Sequence, residues 1–206
     1  ELRRLCALPA GEWTPISGDL SKLLTRSEEL SRMTEGAFDP TVGPYVRLWR
    51  RARRSRELPD PERVAEAALS VGAEHVELKE GRARLLVEGM RLDLGAIAKG
   101  YALDEALLVL RERGIDRALL DGGGDVLAGA PPPHASGWKI AVRPRGPDGP
   151  VWPMELDHQA VATSGDTSQF VVIGGERYSH LIDPRTGEAL RGSRAATVVA
   201  PDGATA

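Results

Sequence analysis

The sequence predicts an α+β protein, with antiparallel sheets and helices packed on them. Two observations carry this. Apolar residues recur at helical spacing through the first half, and short strand-like runs bounded by Gly, Pro and Asp fill the second. Gly174-Gly175, between two such runs, is a strong signal for a two-residue hairpin turn.

Taken in order, Leu20, Leu23, Leu24, Leu30 and Met33 place a helix over Ser17–Met33, with Ser17 as its cap and Gly36 as its stop. Asp60-Pro61 opens a second helix, with Val64, Ala65, Ala68 and Leu69 on one face and Gly72 ending it. Strands near His75–Lys79 and Ala83–Val87 join at Glu80-Gly81. A short strand over Met90–Asp93 leads through a glycine turn into a long helix. That helix runs to about Arg113, buries Leu103, Leu107 and Leu110, and stops at Gly114. Further strands are expected near Arg117–Leu120, Val126–Ala128, Trp138–Val142, Trp152–Leu156, Ala160–Thr163, Phe170–Ile173, Tyr178–Ile182 and Ala196–Ala200. Pro131-Pro132-Pro133 and Pro144–Pro150 read as surface loops, because proline cannot donate within a central strand.

Composition excludes several classes. A chain of 206 residues with 41% hydrophobic content can bury a core, and a single domain over 1–206 is expected. The net charge of −3 gives no global footprint for nucleic acid. One cysteine, Cys6, excludes an internal disulfide framework and a thiolate metal site. No apolar run approaches the roughly 20 residues that span a bilayer, and no secretion signal opens the chain. Glu1-Leu2-Arg3-Arg4-Leu5 without a start methionine, and Thr205-Ala206 directly after a strand, read as a fragment trimmed at both ends.

Several segments offer chemistry. In Met90–Ala106, Asp93, Gly95, Lys99 and Gly100 crowd onto a strand end and a helix start, whose free amides suit a pyrophosphate, or make an ordinary strand–turn–helix with a glycine for packing. Thr34–Pro44 sets three breaker residues around Phe38 and Asp39, a rigid backbone that a flat ligand can approach, or a plain helix-to-loop connection. The basic run Arg47–Arg56 reads as a solvated, mobile loop rather than a nucleic-acid grip. Asp121-Gly122-Gly123-Gly124-Asp125 would leave backbone amides facing a ligand. Thr163, Ser164 and Gly165 form a turn whose hydroxyls and amide suit phosphate oxygens, or a structural Ser/Thr turn. His180 is the one of four histidines embedded in turn chemistry, and neutral imidazole is the usual base for a hydroxyl. No P-loop, HExxH or Ser/His/Asp order occurs.

In combination these segments resemble the FAD:protein FMN transferase family, also called the ApbE family. The resemblance rests on Gly-Ala-Phe-Asp-Pro-Thr-Val-Gly-Pro at 36–44 with Leu48-Trp49, and on Asp-Leu-Gly-Ala-Ile-Ala-Lys-Gly-Tyr-Ala-Leu-Asp at 93–104. It continues with Gly-Gly-Gly-Asp-Val at 122–126, Thr-Ser-Gly-Asp at 163–166 and Tyr-Ser-His-Leu-Ile-Asp-Pro-Arg-Thr-Gly at 178–187. It implies a T-fold-like flavinyltransferase architecture. It also implies transfer of FMN from FAD to a Ser or Thr hydroxyl of an acceptor protein, with release of AMP. By the same resemblance, FAD is held by Ala37, Phe38, Asp39, Asp93, Lys99, Thr163, Ser164, Gly165 and Ile182. Mg²⁺ is met by the carbonyl of Ala96, with further ligands in a downstream Asp-Ala-x-x-Thr segment. His180 is the expected proton acceptor, and Asp183 orients it or shapes the turn. An FAD carrier and a metal-dependent FAD pyrophosphatase are the competing readings. The resemblance further implies an extracytoplasmic, membrane-anchored or periplasmic setting.

Overall fold

The computed structural model describes residues 1–143, 149–166 and 169–206. The expected loop over Pro144–Pro150 lies, at 144–148, outside the described residues. Element order is α1 (Leu2–Leu5), β1 (Thr14–Pro15), α2 (Gly18–Met33), α3 (Gly43–Ser55), α4 (Pro61–Ala68), a 3-10 turn (Ala73–His75), β2 (Val76–Lys79) and β3 (Arg82–Leu85). After these come α5 (Ala98–Glu112), β4 (Leu119–Asp121), β5 (Val126–Ala128), β6 (Trp138–Val142), β7 (Trp152–Leu156) and β8 (Ala160–Gly165). The chain closes with β9 (Phe170–Ile173), β10 (Glu176–Ile182), β11 (Ala189–Arg191) and β12 (Ala195–Ala200). The strand ladders are antiparallel, as an α+β fold requires.

The expected domain comprises two compact units: Glu1–Leu94 with Phe170–Gly192, and Gly95–Gln169 with Ser193–Ala206. In the first, sheets run in the orders β1-β3-β2 and β11-β10-β9. α2 starts where Ser17 Oγ accepts the amide of Leu20, and it buries Leu20 and Leu24. Its end is a left-handed cap: Glu35 (φ 51°) donates to Arg32 O and Gly36 (φ 77°) to Ser31 O. Met33, expected on the buried face, is 70% exposed.

The basic run is not a loop. It lies inside α3, because Tyr45, Trp49 and Ala52 share one helical face and are buried, while the arginines take the solvent side. Trp49 and Ala52 form a core with Val171, Tyr178 and Ala189, and the Trp49 and Tyr178 rings stack 5.4 Å apart. Burying a large side chain of this kind contributes about 1.5–3 kcal/mol. Trp49 Nε1 donates to Gly187 O at 2.8 Å, binding the helix to a turn 138 residues away.

Two other expectations are corrected. Met90–Asp93 makes no strand ladder: apart from one parallel bridge, Val42 to Arg91, its amides go to loop partners, Asp93 N to Pro40 O and Leu92 N to Cys6 Sγ. α4 buries none of its residues, and Leu69 is 75% exposed, so its apolar face is not a core face.

In the second unit, β12-β8-β5-β4 form one sheet and β6-β7 a separate hairpin. α5 packs Leu103 and Leu107 on Leu127 and Ala160; Leu110 is half-buried. It ends in a Schellman cap, Gly114 N to Arg111 O and Ile115 N to Leu110 O.

Gly187 (φ 72°) combines a left-handed backbone with a close approach: a Cβ there would lie 2.5 Å from the Tyr45 ring. Gly174 (φ 59°) has the same backbone demand with nothing within 4 Å. Gly187→Ala is therefore expected to cost about 2–4 kcal/mol, from left-handed strain plus overpacking, against about 1 kcal/mol for Gly174→Ala. Thermal unfolding should show a drop of roughly 5–15 °C for the first and only a few degrees for the second. Equal drops would mean that the Tyr45 contact is slack.

Candidate functional site

In the first unit, the loop from Thr34 to Val42 is built around one carboxylate. Asp39 Oδ1 accepts the amide of Thr41 at 2.7 Å and its hydroxyl at 2.5 Å, and Oδ2 accepts the amide of Ala73. Thr41, fully buried, in turn accepts the amide of Gly72. Asp39 thus fastens its loop to the end of the neighbouring helix–turn segment. Gly43 lies on Arg91: a Cβ there would meet the Arg91 carbonyl oxygen at 2.4 Å. The close approach read in this glycine is to the chain's own backbone, whereas Gly36 faces open space. Ala37 is exposed and Phe38 half-buried, its amide donating to Thr34 Oγ1.

Asp93 joins this loop through its amide, and its carboxylate lies 3.5 Å from Arg50 Nη2 of α3. Ala37, Phe38, Asp39 and Asp93 are therefore brought to one place in the first unit.

β10 supplies His180 and Ile182 to the same unit, and the turn after it supplies Asp183. Opposite β11 the register is Tyr178 to Arg191 and then Ile182 to Ala189, so Ser179, His180 and Leu181 face Leu190 alone. This bulge re-aims side chains, a common device beside working sites. Ser179 is buried, and its Oγ accepts the Leu181 amide at 3.0 Å. His180 is half-buried, and Ile182 packs against the Trp49 cluster.

Asp183 shapes the turn. Its Oδ1 accepts both the amide and Nε of Arg185, Oδ2 accepts Nη2, and its carbonyl receives the amide of Gly187. The Arg185 guanidinium holds the Asp183 carboxyl below the usual carboxylate range.

The second unit holds Ala96, Lys99, Thr163, Ser164 and Gly165. α5 opens with no side chain capping its first amides, the kind of end that suits an anion. Ala96 is exposed just before it. Lys99 Nζ contacts Asp125 Oδ2 at 2.5 Å.

Two readings are corrected here. The triple-glycine turn does not present its amides: Gly123 and Gly124 donate to Asp121 Oδ1, and Gly122 donates to Asp125 O. Three glycines are needed because Gly123 and Gly124 have positive φ, and a Cβ on Gly122 would press on Leu103. Nor is Thr163–Gly165 a turn. All three continue β8 against Ala195–Thr197, with Thr163 Oγ1 and Thr197 Oγ1 2.9 Å apart. Asp166, 1% exposed, ends the strand by accepting from Ser193 Oγ and the Arg194 amide.

Sequence reasoning missed Asp104. Its carboxylate accepts the amides of Gly203 and Ala204 at 2.7 and 2.9 Å. Gly100 meets Gly203 so closely that no Cβ fits at either. The signal was an acid placed beside Leu103 and one turn after Gly100, on the face that α5 buries. Burial pushes the Asp104 carboxyl up, against the pull of those two amides.

The ApbE family model matches residues 1–206. The chain belongs to the ApbE family. It is 31% identical to the FAD:protein FMN transferase of Haemophilus influenzae over 93% of this chain and 58% of that one. It is 34% identical to that of Rhodobacter capsulatus, over 96% of this chain and 38% of that one. Among solved structures, the ApbE protein of Thermotoga maritima superposes with a TM-score of 0.88 at 34% identity, covering 99% of this chain and 67% of that one. The apo flavinyl transferase ApbE of Pseudomonas stutzeri gives 0.86 at 31%, over 98% and 64%. The chain thus spans little more than half the length of the first of these curated relatives. The α+β architecture expected from the sequence is the one these ApbE structures share.

The two shifted carboxyls act on stability with opposite signs. Asp183 titrates lower folded than unfolded, so its stabilisation is complete above about pH 5 and is lost as the pH falls through the ordinary value near 3.9 and below. Asp104 titrates higher folded, so its contribution falls as the pH rises from the unfolded value to the folded one. Urea unfolding at pH 6.0, 4.5 and 3.5 should show the gap between the native chain and Asp183→Asn closing on acidification. A gap constant with pH would mean that Asp183 is not held by Arg185 in solution.

Proposed function

We propose that this ApbE chain belongs to an enzyme that moves FMN from FAD to a Ser or Thr hydroxyl of an acceptor protein, releasing AMP. The observation that supports it most is the ordered set of family motifs on a chain whose relatives in Haemophilus influenzae and Rhodobacter capsulatus are named FAD:protein FMN transferases. The acceptor oxygen attacks the phosphorus on the FMN side, the bridging P–O bond breaks, and AMP leaves with the bridging oxygen. His180 accepts the hydroxyl proton, placed by the β10 bulge, and Asp183 fixes the turn that follows it. Ala37, Phe38, Asp39, Asp93, Lys99, Thr163, Ser164, Gly165 and Ile182 are the proposed FAD contacts.

The reaction is proposed to depend on Mg²⁺. The exposed main chain at Ala96 offers the hard oxygen this ion prefers, and among the described residues no cluster of three His, Cys, Asp or Glu supplies more. The remaining ligands are assigned to residues beyond 206. When bound, the ion neutralises charge on the pyrophosphate. Family resemblance also supports an extracytoplasmic setting; among the described residues, no helix is long and apolar enough to cross a membrane.

The complete protein incubated with FAD, Mg²⁺ and a peptide carrying a Ser/Thr-Gly-Ala-Thr segment should yield AMP and a peptide heavier by one FMN. Free FMN and AMP with an unchanged peptide would make it a pyrophosphatase, and retained intact FAD a carrier. His180→Ala should lower transfer by about 10²–10⁴-fold, with FAD affinity nearly unchanged. Equal loss of both would make His180 structural.

A further inference from the structure

Helix α3 exposes more charge than its fold requires. Arg47, Arg50, Arg51 and Arg54 follow i, i+3, i+4, i+7 spacing, and all four are exposed. They form one stripe opposite the buried Tyr45, Trp49 and Ala52. Arg50 reaches Asp93 at 3.5 Å; among the described residues, Arg47, Arg51 and Arg54 form no ion pair. Like charges at this spacing destabilise a helix, and here they concentrate positive charge on a chain whose net charge is −3. Beside the stripe lies an open hollow of about 260 Å³, lined by Leu48, Leu58 and Pro59, with Arg51 and Arg63 balanced there by Glu57 and Asp60.

We propose that the acceptor protein docks through an acidic surface laid along this stripe, which leads to Asp93 and the loop that carries Ala37, Phe38 and Asp39. The proposal rests on the flavin-transfer reading and names the chemistry of its protein substrate: carboxylates flanking the accepting hydroxyl. Guanidinium forks match carboxylates in a bidentate manner, and the hollow takes an apolar side chain between them. Single-stranded nucleic acid would need stacking platforms, and the two aromatics of α3 are buried. A bilayer surface would meet the charge and leave the hollow unused.

The test uses the complete protein with FAD and Mg²⁺, and two peptides bearing the same Ser/Thr-Gly-Ala-Thr segment, one flanked by glutamates and the other by glutamines. KM for the glutamate peptide should be about tenfold lower at low salt, and the preference should vanish near 0.5 M salt. The triple variant R47Q/R51Q/R54Q should lose the preference and keep kcat on the glutamine peptide. Equal KM values, or a preference that survives in the variant, overturn the docking proposal and leave flavin transfer standing. Transfer to neither peptide overturns the flavin-transfer reading and docking with it. Binding to anionic vesicles or single-stranded DNA that the variant loses, without any flank preference, reassigns the stripe to that partner and overturns the proposal.

Discussion

One hydrogen bond organises the first unit: the indole of Trp49 donating to the carbonyl of Gly187. A buried carbonyl left without a donor costs about 1–3 kcal/mol, and a buried indole N–H needs its acceptor equally. Satisfying both at once fixes α3 against the turn after β10. Everything the sequence marks in this unit hangs on that helix. Its first residue, Gly43, presses on Arg91 and so sets where Asp93 lies. Its partner turn, from Asp183 to Gly187, ends the strand that carries His180. Residues more than 80 positions apart are held by one aromatic side chain and two glycines that admit no methyl group.

Carboxylates do the remaining work of stiffening. Asp39 ties the Phe38 loop to Ala73, Asp183 closes its own turn through Arg185, and Asp121 gathers two glycine amides. In the second unit, Asp104 receives Gly203 and Ala204 while Asp202 receives Thr205. An ionised carboxylate accepting backbone amides makes stronger bonds than a neutral acceptor. Loops made this way hold one conformation without burying much apolar surface.

The periodic elements were legible in the sequence. Val126–Ala128, Trp138–Val142, Trp152–Leu156 and Phe170–Ile173 lie where alternation and turn residues put them, and the Gly174-Gly175 hairpin has both residues at positive φ. What failed was whatever depends on distant partners. Arg47–Arg56 looks like a solvated run because arginines outnumber apolar residues, yet three apolar residues on one face are enough once Val171, Tyr178 and Ala189 arrive to cover them. Met90–Asp93 alternates like a strand and buries Met90 and Leu92, but the chain beside it is a loop with no ladder to offer. Among the site residues, the grouping of Ala37, Phe38, Asp39 and Asp93 was readable from motif order. The role of Asp104 was not, because its partners lie 99 and 100 residues further on.

Charge balance bears most directly on the proposed chemistry. Two of the cations within or beside the marked motifs, Arg50 in the first unit and Lys99 in the second, each already face a carboxylate, Asp93 at 3.5 Å and Asp125 at 2.5 Å. Each pair is locally neutral. A pyrophosphate reaching either cation would compete with the resident carboxylate and would gain only the difference between two similar contacts. The glycine amides of the 121–125 turn are similarly engaged. In the second unit, the uncapped start of α5 adds about half a unit of positive charge beside the Lys99–Asp125 pair. Positive charge brought by Mg²⁺, as proposed above, would spare an incoming pyrophosphate that competition.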